Sequence, residues 1–419
     1  MIPRLGLMLA ALALAGCAKV PPAPPTPVPA PDSAPPPISR PAPTPAPTPA
    51  EQRVAPRILA PVTLAFVGDI NLGTLTIPGG VPPEGGRGLL DASRAALVGD
   101  LVVGNFEGVL GDSGTTYKCG RKGRHVTLAD TAQPKPVGPA SRRAPPPKPK
   151  PGARPPAPRM CYAFLTPAAL APRLAEGGFT HLNLANNHAN DFGDDARAAT
   201  VRILDSLGLR TYGPLGSIAV DTVRRGDSLT TVALLGFTTY PYAYDLLDIA
   251  RSAAVVDSVR DLVDLLVVTF HGGAEGSKAL HVPETAESLG REPRGDLRAW
   301  ARAMIDAGAD GVVGHGPHVL RGIELYRGKP IAYSLGNFLT YRGFNLAGPL
   351  GLTGVLQLEA GPDLAWRRAR FVPMVQLPRH GPAPDPAGAA LDLIRTLSRE
   401  DFGDAAARFA DDGEILSPE

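Results

Sequence analysis

Val62-Thr63-Leu64-Ala65-Phe66-Val67-Gly68-Asp69-Ile70-Asn71 is the stretch on which the fold class turns. Five of its first six residues are apolar, the composition of a strand, and the run breaks at Gly68-Asp69, where a turn former brings a carboxylate to the strand's end. The same sentence recurs downstream. Apolar runs at 100–104, 181–185, 265–270, 311–314 and 331–335 exit through Asn105-Phe106-Glu107, Asn186-Asn187-His188, His271-Gly272-Gly273, His315-Gly316-Pro317-His318 and Gly336-Asn337, and a further apolar run stands at 232–237. Helix-like segments stand between them. Thr166 and Pro167 read as the cap and first residue of one that stops at Gly177-Gly178; a second runs from Asp194 or Asp195 to Leu207 before Gly208; a third runs from Asp296 to Ala307 before Gly308. Strands alternating with helices predict an α/β fold, and parallel strands deliver their exits to one sheet edge, where ligands bind. Residues 387–409 read as one or two terminal helices without chemistry.

The rest of the chain is uneven. Of 419 residues 48 are proline, and they crowd into 21–61 and 134–158, which sets those tracts outside the fold. The N-terminus carries Arg4, an apolar run from Leu5 to Leu14 and then Leu14-Ala15-Gly16-Cys17. This resembles a lipoprotein signal peptide with Cys17 as the lipid-modified residue, which predicts a cell-envelope protein anchored to a membrane by lipid, the outer membrane in a Gram-negative host. The expected organisation is a signal peptide at 1–17, a Pro-rich linker at 18–61, one domain at 62–375 with a disordered basic insertion at about 120–160, and a helical extension at 376–419. With Cys17 lipidated, Cys119 and Cys161 remain of three cysteines, and at the two necks of the insertion they are candidates for a disulfide in an oxidising compartment. Between Lys118 and Arg159 stand eleven Lys/Arg and one acid, Asp130. Such a loop either attracts an anionic polymer or is a solvated insertion without a partner. It is free of aromatics, which argues against nucleic-acid binding. No phosphate-binding loop and no Gly-x-Ser-x-Gly elbow is present.

Carboxylate, imidazole and amide side chains gathered on rigid strand ends are what a divalent cation requires. Asp69, Asn105, Glu107, Asn187, His271, His315 and His318 are candidate metal ligands, with His188, Asp191 and Glu275 as candidate catalytic groups. The motifs Gly68-Asp69-Ile-Asn-Leu-Gly73, Gly104-Asn105-Phe-Glu107-Gly108, Leu184-Ala-Asn-Asn187-His188-Ala-Asn-Asp191-Phe-Gly193, Phe270-His271-Gly-Gly-Ala-Glu275, Gly314-His315-Gly-Pro-His318 and Tyr333-Ser-Leu-Gly-Asn337-Phe338 resemble those of CapA, the poly-γ-glutamate capsule synthesis family. That family is similar in fold to the calcineurin-like metallophosphoesterases. The resemblance implies a four-layer α/β sandwich and one or two divalent ions (Mn, Zn or Mg). It also implies an anionic polysaccharide or poly-γ-glutamate-like polymer as partner, together with other capsule-synthesis proteins. By the same resemblance Asp69, Asn187 and His271 match metal ligands, His188 the residue that stabilises the leaving oxygen, and His315 and His318 a closing His pair. Asn71 stands where those enzymes have a metal-binding His, Glu107 is the candidate for their bridging carboxylate, and Gly272 and Gly316 replace an aromatic residue and a His. Such a site would serve a capsule-polymer factor, a hydrolase of phosphoesters or polymer amides, or a non-catalytic scaffold.

Overall fold

A computed structural model describes residues 58–118, 120, 122–131 and 162–416. Cys17, Cys119, Cys161, nearly all of the Pro-rich linker and most of the basic insertion lie outside these residues. Two sheets build the domain. In the first, Val62–Asn71 runs parallel to Leu101–Phe106, which pairs with His181–Asn183 and then Arg210–Tyr212. Its other side pairs antiparallel with Leu352–Ala360, followed by Trp366–Leu377. The second sheet orders Tyr244–Asp245, Ser228–Thr238, Leu265–His271, Gly311–His315 and Lys329–Ala332 as parallel neighbours.

Side-chain alternation along each strand explains how the layers stack. Val62, Leu64 and Phe66 point to one side and meet Val232, Leu234, Val267 and Val313 of the other sheet. Ala65 and Val67 point the opposite way, onto Leu174 of the helix Pro172–Gly177 and Leu204 of the helix Asp194–Ser206. In the second sheet, Leu235, Phe237, Val268 and Phe270 likewise face outward onto Val256 of Ile249–Arg260 and Trp300 and Met304 of Leu297–Asp306. The order is helix, sheet, sheet, helix: the α/β sandwich that the resemblance implies. No helix among the described residues is long and apolar enough to cross a membrane.

The helix expectations hold at two of three starts. Asp296 caps Leu297–Asp306 by accepting from the Ala299 amide at 3.1 Å, and Asp194–Ser206 begins where expected. Thr166 is not a cap. It lies in the two-residue strand Leu165–Thr166, its hydroxyl donates to the Gly73 carbonyl at 2.7 Å, and the α-helix begins only at Pro172. A tertiary acceptor outcompetes the local capping bond. Residues 376–419 hold the helix Ala389–Phe402, but the two short strands Arg408–Phe409 and Glu414–Leu416 also join the first sheet beside Trp366–Leu377. Ala390, Ile394 and Ile415 complete the central core.

Candidate metal centre

Parallel pairing places the strand exits on shared rungs. Asp69 sits opposite both Asn105 and Asn337, Asn105 opposite Asn183, and His271 opposite His315. Residues hundreds of positions apart therefore meet where the two sheets end. Asp69, Glu107 and His271 form the centre, each with a ligand atom within 4.8 Å of the others and all three fully buried. Asp69 Oδ2 lies 2.8 Å from His318 Nδ1, and its Oδ1 lies 3.6 Å from His315 Nδ1. Glu107 Oε1 lies 3.2 Å from His271 Nδ1.

Backbone geometry makes room for this approach. Gly316 has φ +110°, and a Cβ there would fall 2.8 Å from the Gly272 carbonyl oxygen and 3.2 Å from His271 Nε2, so the His expected at this place in the family would not fit. Gly68 is tighter still: a Cβ would come 1.9 Å from the Gly336 oxygen, and the Asp69 amide donates to that oxygen at 2.9 Å. His318 itself adopts φ +61°, a region that costs a residue with a side chain. The strain is held by Asn337 Nδ2, which donates to the His318 carbonyl at 3.1 Å.

Electrostatics set the protonation. Burial opposes the Asp69 charge, but the close approach of the His315 ring and the hydrogen bond and charge of His318 outweigh it and hold its pKa below the usual carboxylate range. Burial, reinforced by the Asp69 charge, pushes Glu107 well up. Burial first and the Arg294 guanidinium second keep His271 neutral, its pKa well below 6.5. Burial also works against a charged His318, yet the Glu107 and Asp69 carboxyls raise it to about 9.

The arrangement fits a divalent cation on a second observation. Glu107 Oε2, His271 Nε2, Asn187 Oδ1, Asn337 Oδ1 and both ring nitrogens of His315 are buried without a hydrogen-bond partner among the described residues. Orphaned buried polar atoms are costly and scarce in folded proteins. Here five residues at one sheet edge carry them, and all are oxygen or imidazole donors suited to Mn, Zn or Mg.

Asn105 and Glu275 differ from their expected use, and Asn71 has a structural one. Asn105 Oδ1 accepts from Asn183 Nδ2 and Asn186 Nδ2, both at 3.1 Å, while its Nδ2 donates to Asp69 Oδ1 at 2.9 Å and Glu107 Oε1 at 3.3 Å. Its ligand oxygen is engaged, so it orients the carboxylates. Glu275 is bound to the buried Arg294 at the wall of the adjoining cavity. Asn71, at the place of a family His, donates to the Glu107 carbonyl at 2.7 Å and accepts from the Gly73 amide at 3.0 Å, which locks the strand exit.

Asn187 and His188 lie beyond the strand end, in a turn, and both line a cavity of about 600 Å³ with His318, Asn337, Tyr240 and Phe344. Strand pairing stops at Asn183, so strand alternation does not set the directions of these two side chains. His188 Nδ1 lies 2.7 Å from Asp191 Oδ2, which also accepts from the Phe164 amide at 2.8 Å. The Asp191 carboxylate can only accept this hydrogen bond, so the Nδ1–H tautomer is favoured and Nε2 is the ring's remaining acceptor. Asn337, Asn183, Asn186 and Arg294 were not among the expected site residues. Asn337 and Asn186 stood in the quoted exits, whereas Arg294 carries no motif.

Residues 151–342 match the family described as bacterial capsule synthesis protein PGA_cap. The capsule biosynthesis protein CapA of Bacillus anthracis is 32% identical over 186 residues, 40% of this chain and 42% of that protein. The PGA biosynthesis protein CapA of Bacillus subtilis is 32% identical over 188 residues, 41% of this chain and 45% of that one. A probable polyglutamine synthesis accessory protein of Mycobacterium tuberculosis is 29% identical over 177 residues, 37% and 43% of the two chains. The matches thus span less than half the length of these relatives. Among solved structures, the 5'-nucleotidase precursor of Thermus thermophilus superposes with a TM-score of 0.37 at 14% identity, over 81% of this chain and 59% of that one. The NAD nucleotidase of Haemophilus influenzae superposes with a TM-score of 0.28 at 14% identity, over 55% and 48%.

Proposed function

We propose, from the premise that residues 151–342 carry the signature of the bacterial capsule synthesis family, that this protein acts in making an anionic capsular polymer at the cell envelope through a metal-dependent hydrolytic cleft. The polymer is of the poly-γ-glutamate type, and lipid on Cys17 holds the domain at a membrane. The observation that carries the reading is the convergence of Asp69, Glu107 and His271 with the orphaned atoms of Asn187, His315 and Asn337.

A divalent cation held by these groups would polarise a substrate oxygen and activate water. The chain supplies the rest. Asn105 holds the Asp69 and Glu107 carboxylates in place, and Asn337 holds His318. His188, with Nδ1 committed to Asp191, presents Nε2 to the cavity as the group that exchanges a proton with the leaving group, which for a γ-linked amide is the amine nitrogen. Its tie to Asp191 at the cavity wall favours hydrolysis over a purely binding scaffold.

The test is metal content after gentle purification, measured by mass spectrometry on the wild type and on the Asp69→Asn and His271→Ala variants. The wild type is expected to retain about one equivalent or more of a divalent metal, and both variants to lose it along with cleavage of γ-linked glutamate oligomers. Wild-type protein that takes up neither Mn, Zn nor Mg overturns the metal reading.

A further inference from the structure

Lys118 had no part in the expected site, yet it reaches into it. It follows the strand Ser113–Thr116, which pairs with Arg124–Thr127, and its Nζ lies 2.7 Å from Asp191 Oδ1, 3.2 Å from the Asn187 carbonyl oxygen and 3.3 Å from His188 Nδ1. An ammonium has three donors. Asp191 and the Asn187 carbonyl take two, and His188 Nδ1 is committed to the other oxygen of Asp191 at 2.7 Å. Among the described residues no other acceptor takes the third N–H, on a side chain that is 40% exposed.

The location of that donor gives it a use. Lys118 lines the 600 Å³ cavity beside the metal centre and also a second cavity of about 390 Å³, formed by Thr115, Asn190, Phe192 and Tyr242. Asn187 and Tyr240 are shared by both as well, so the two cavities meet at this residue. The other guanidinium or ammonium among the described lining residues is Arg294, fully buried and paired with Glu275 and Glu292.

We propose that Lys118 is a substrate-contacting residue that binds an oxyanion of the substrate where the two cavities join, so that an anionic chain lies in both at once across Asn187. The assignment rests on the cleft reading above and extends it to a residue and a direction along the groove. The oxyanion is a carboxylate of the chain or a phosphate of an ester. Two probes separate these: γ-linked glutamate oligomers of increasing length, and inorganic phosphate, each titrated calorimetrically into metal-loaded, full-length wild type, Lys118→Met and Lys118→Arg.

Losing one charge-assisted contact should weaken binding roughly tenfold or more in Lys118→Met, with metal content unchanged and affinity largely recovered in Lys118→Arg. If the anion is a carboxylate, the loss appears with oligomers and grows with length; if a phosphate, it appears with inorganic phosphate alone and the chain across both cavities is overturned. Lys118→Met binding both probes as the wild type does overturns the assignment while the cleft reading stands. Wild type that holds metal but binds neither probe overturns both.

Discussion

Asn105 shows how one neutral side chain can decide the state of several charged ones. Its amide nitrogen serves Asp69 and Glu107, its oxygen takes the amides of Asn183 and Asn186, and all of this is fully buried. Replacing it by leucine, which has the same heavy-atom branching, leaves two donors and two carboxyl oxygens without these partners. Asn105→Leu should cost about 1–3 kcal/mol of stability and most of the metal content, read from urea midpoints and metal analysis. An unchanged midpoint together with full metal occupancy would show that the network does not hold the carboxylates. The type of residue at 105 was legible in the strand exit; its job was not, because a side-chain amide can ligate or orient and only its partners distinguish the two.

Among the elements, the ties between sheets carry the clearest pH signature. His181, on the strand His181–Asn183 of the first sheet, meets Asp221 of the strand Ala219–Arg225 in the second at 2.6 Å. Burial holds the His181 pKa below 6.5, although the Asp221 carboxylate opposes this. Between its folded pKa and 6.5 the folded protein binds fewer protons at this ring than the unfolded chain does. Stability therefore has its full contribution from His181 above that range and loses it as pH falls through it. Denaturant midpoints should drop as pH falls through 6.5 and below, and His181→Gln should drop less over the same interval. An equal drop in the variant would assign the effect to other groups. The sequence showed a His at a strand start; that the strand lies opposite Asp221 follows from the stacking of two sheets, which no local pattern contains.

At the scale of the molecule, the described domain has a central core between its sheets and a helix-covered core on each outer face, and none of its described helices is long and apolar enough to cross a membrane. Attachment to a membrane, if it depends on Cys17, is a property of lipid chains on one residue. Cys17→Ser should release the protein into the soluble fraction while its thermal midpoint and metal content stay as in the wild type. Retention of the variant on membranes after a carbonate wash would remove the lipid anchor from the proposal.

By itself the sequence determined the α/β class, the places where strands end, and the residue types assembled there, because apolar runs and turn formers act locally and repeat. Two helix ends, at Asp296 and Gly178, were legible for the same reason. Only the tertiary structure decided which of those groups meet. Parallel register put Asp69, Asn105 and Asn337 on one rung and His271 beside His315, and long-range hydrogen bonds took Thr166 away from its helix and Asn105 away from ligation. The reinforcement of the first sheet by residues 408–416, the burial of Arg294 and the reach of Lys118 into the cleft likewise depend on packing between segments far apart in the chain, where the energy of a contact is set by partners that neighbouring residues do not specify.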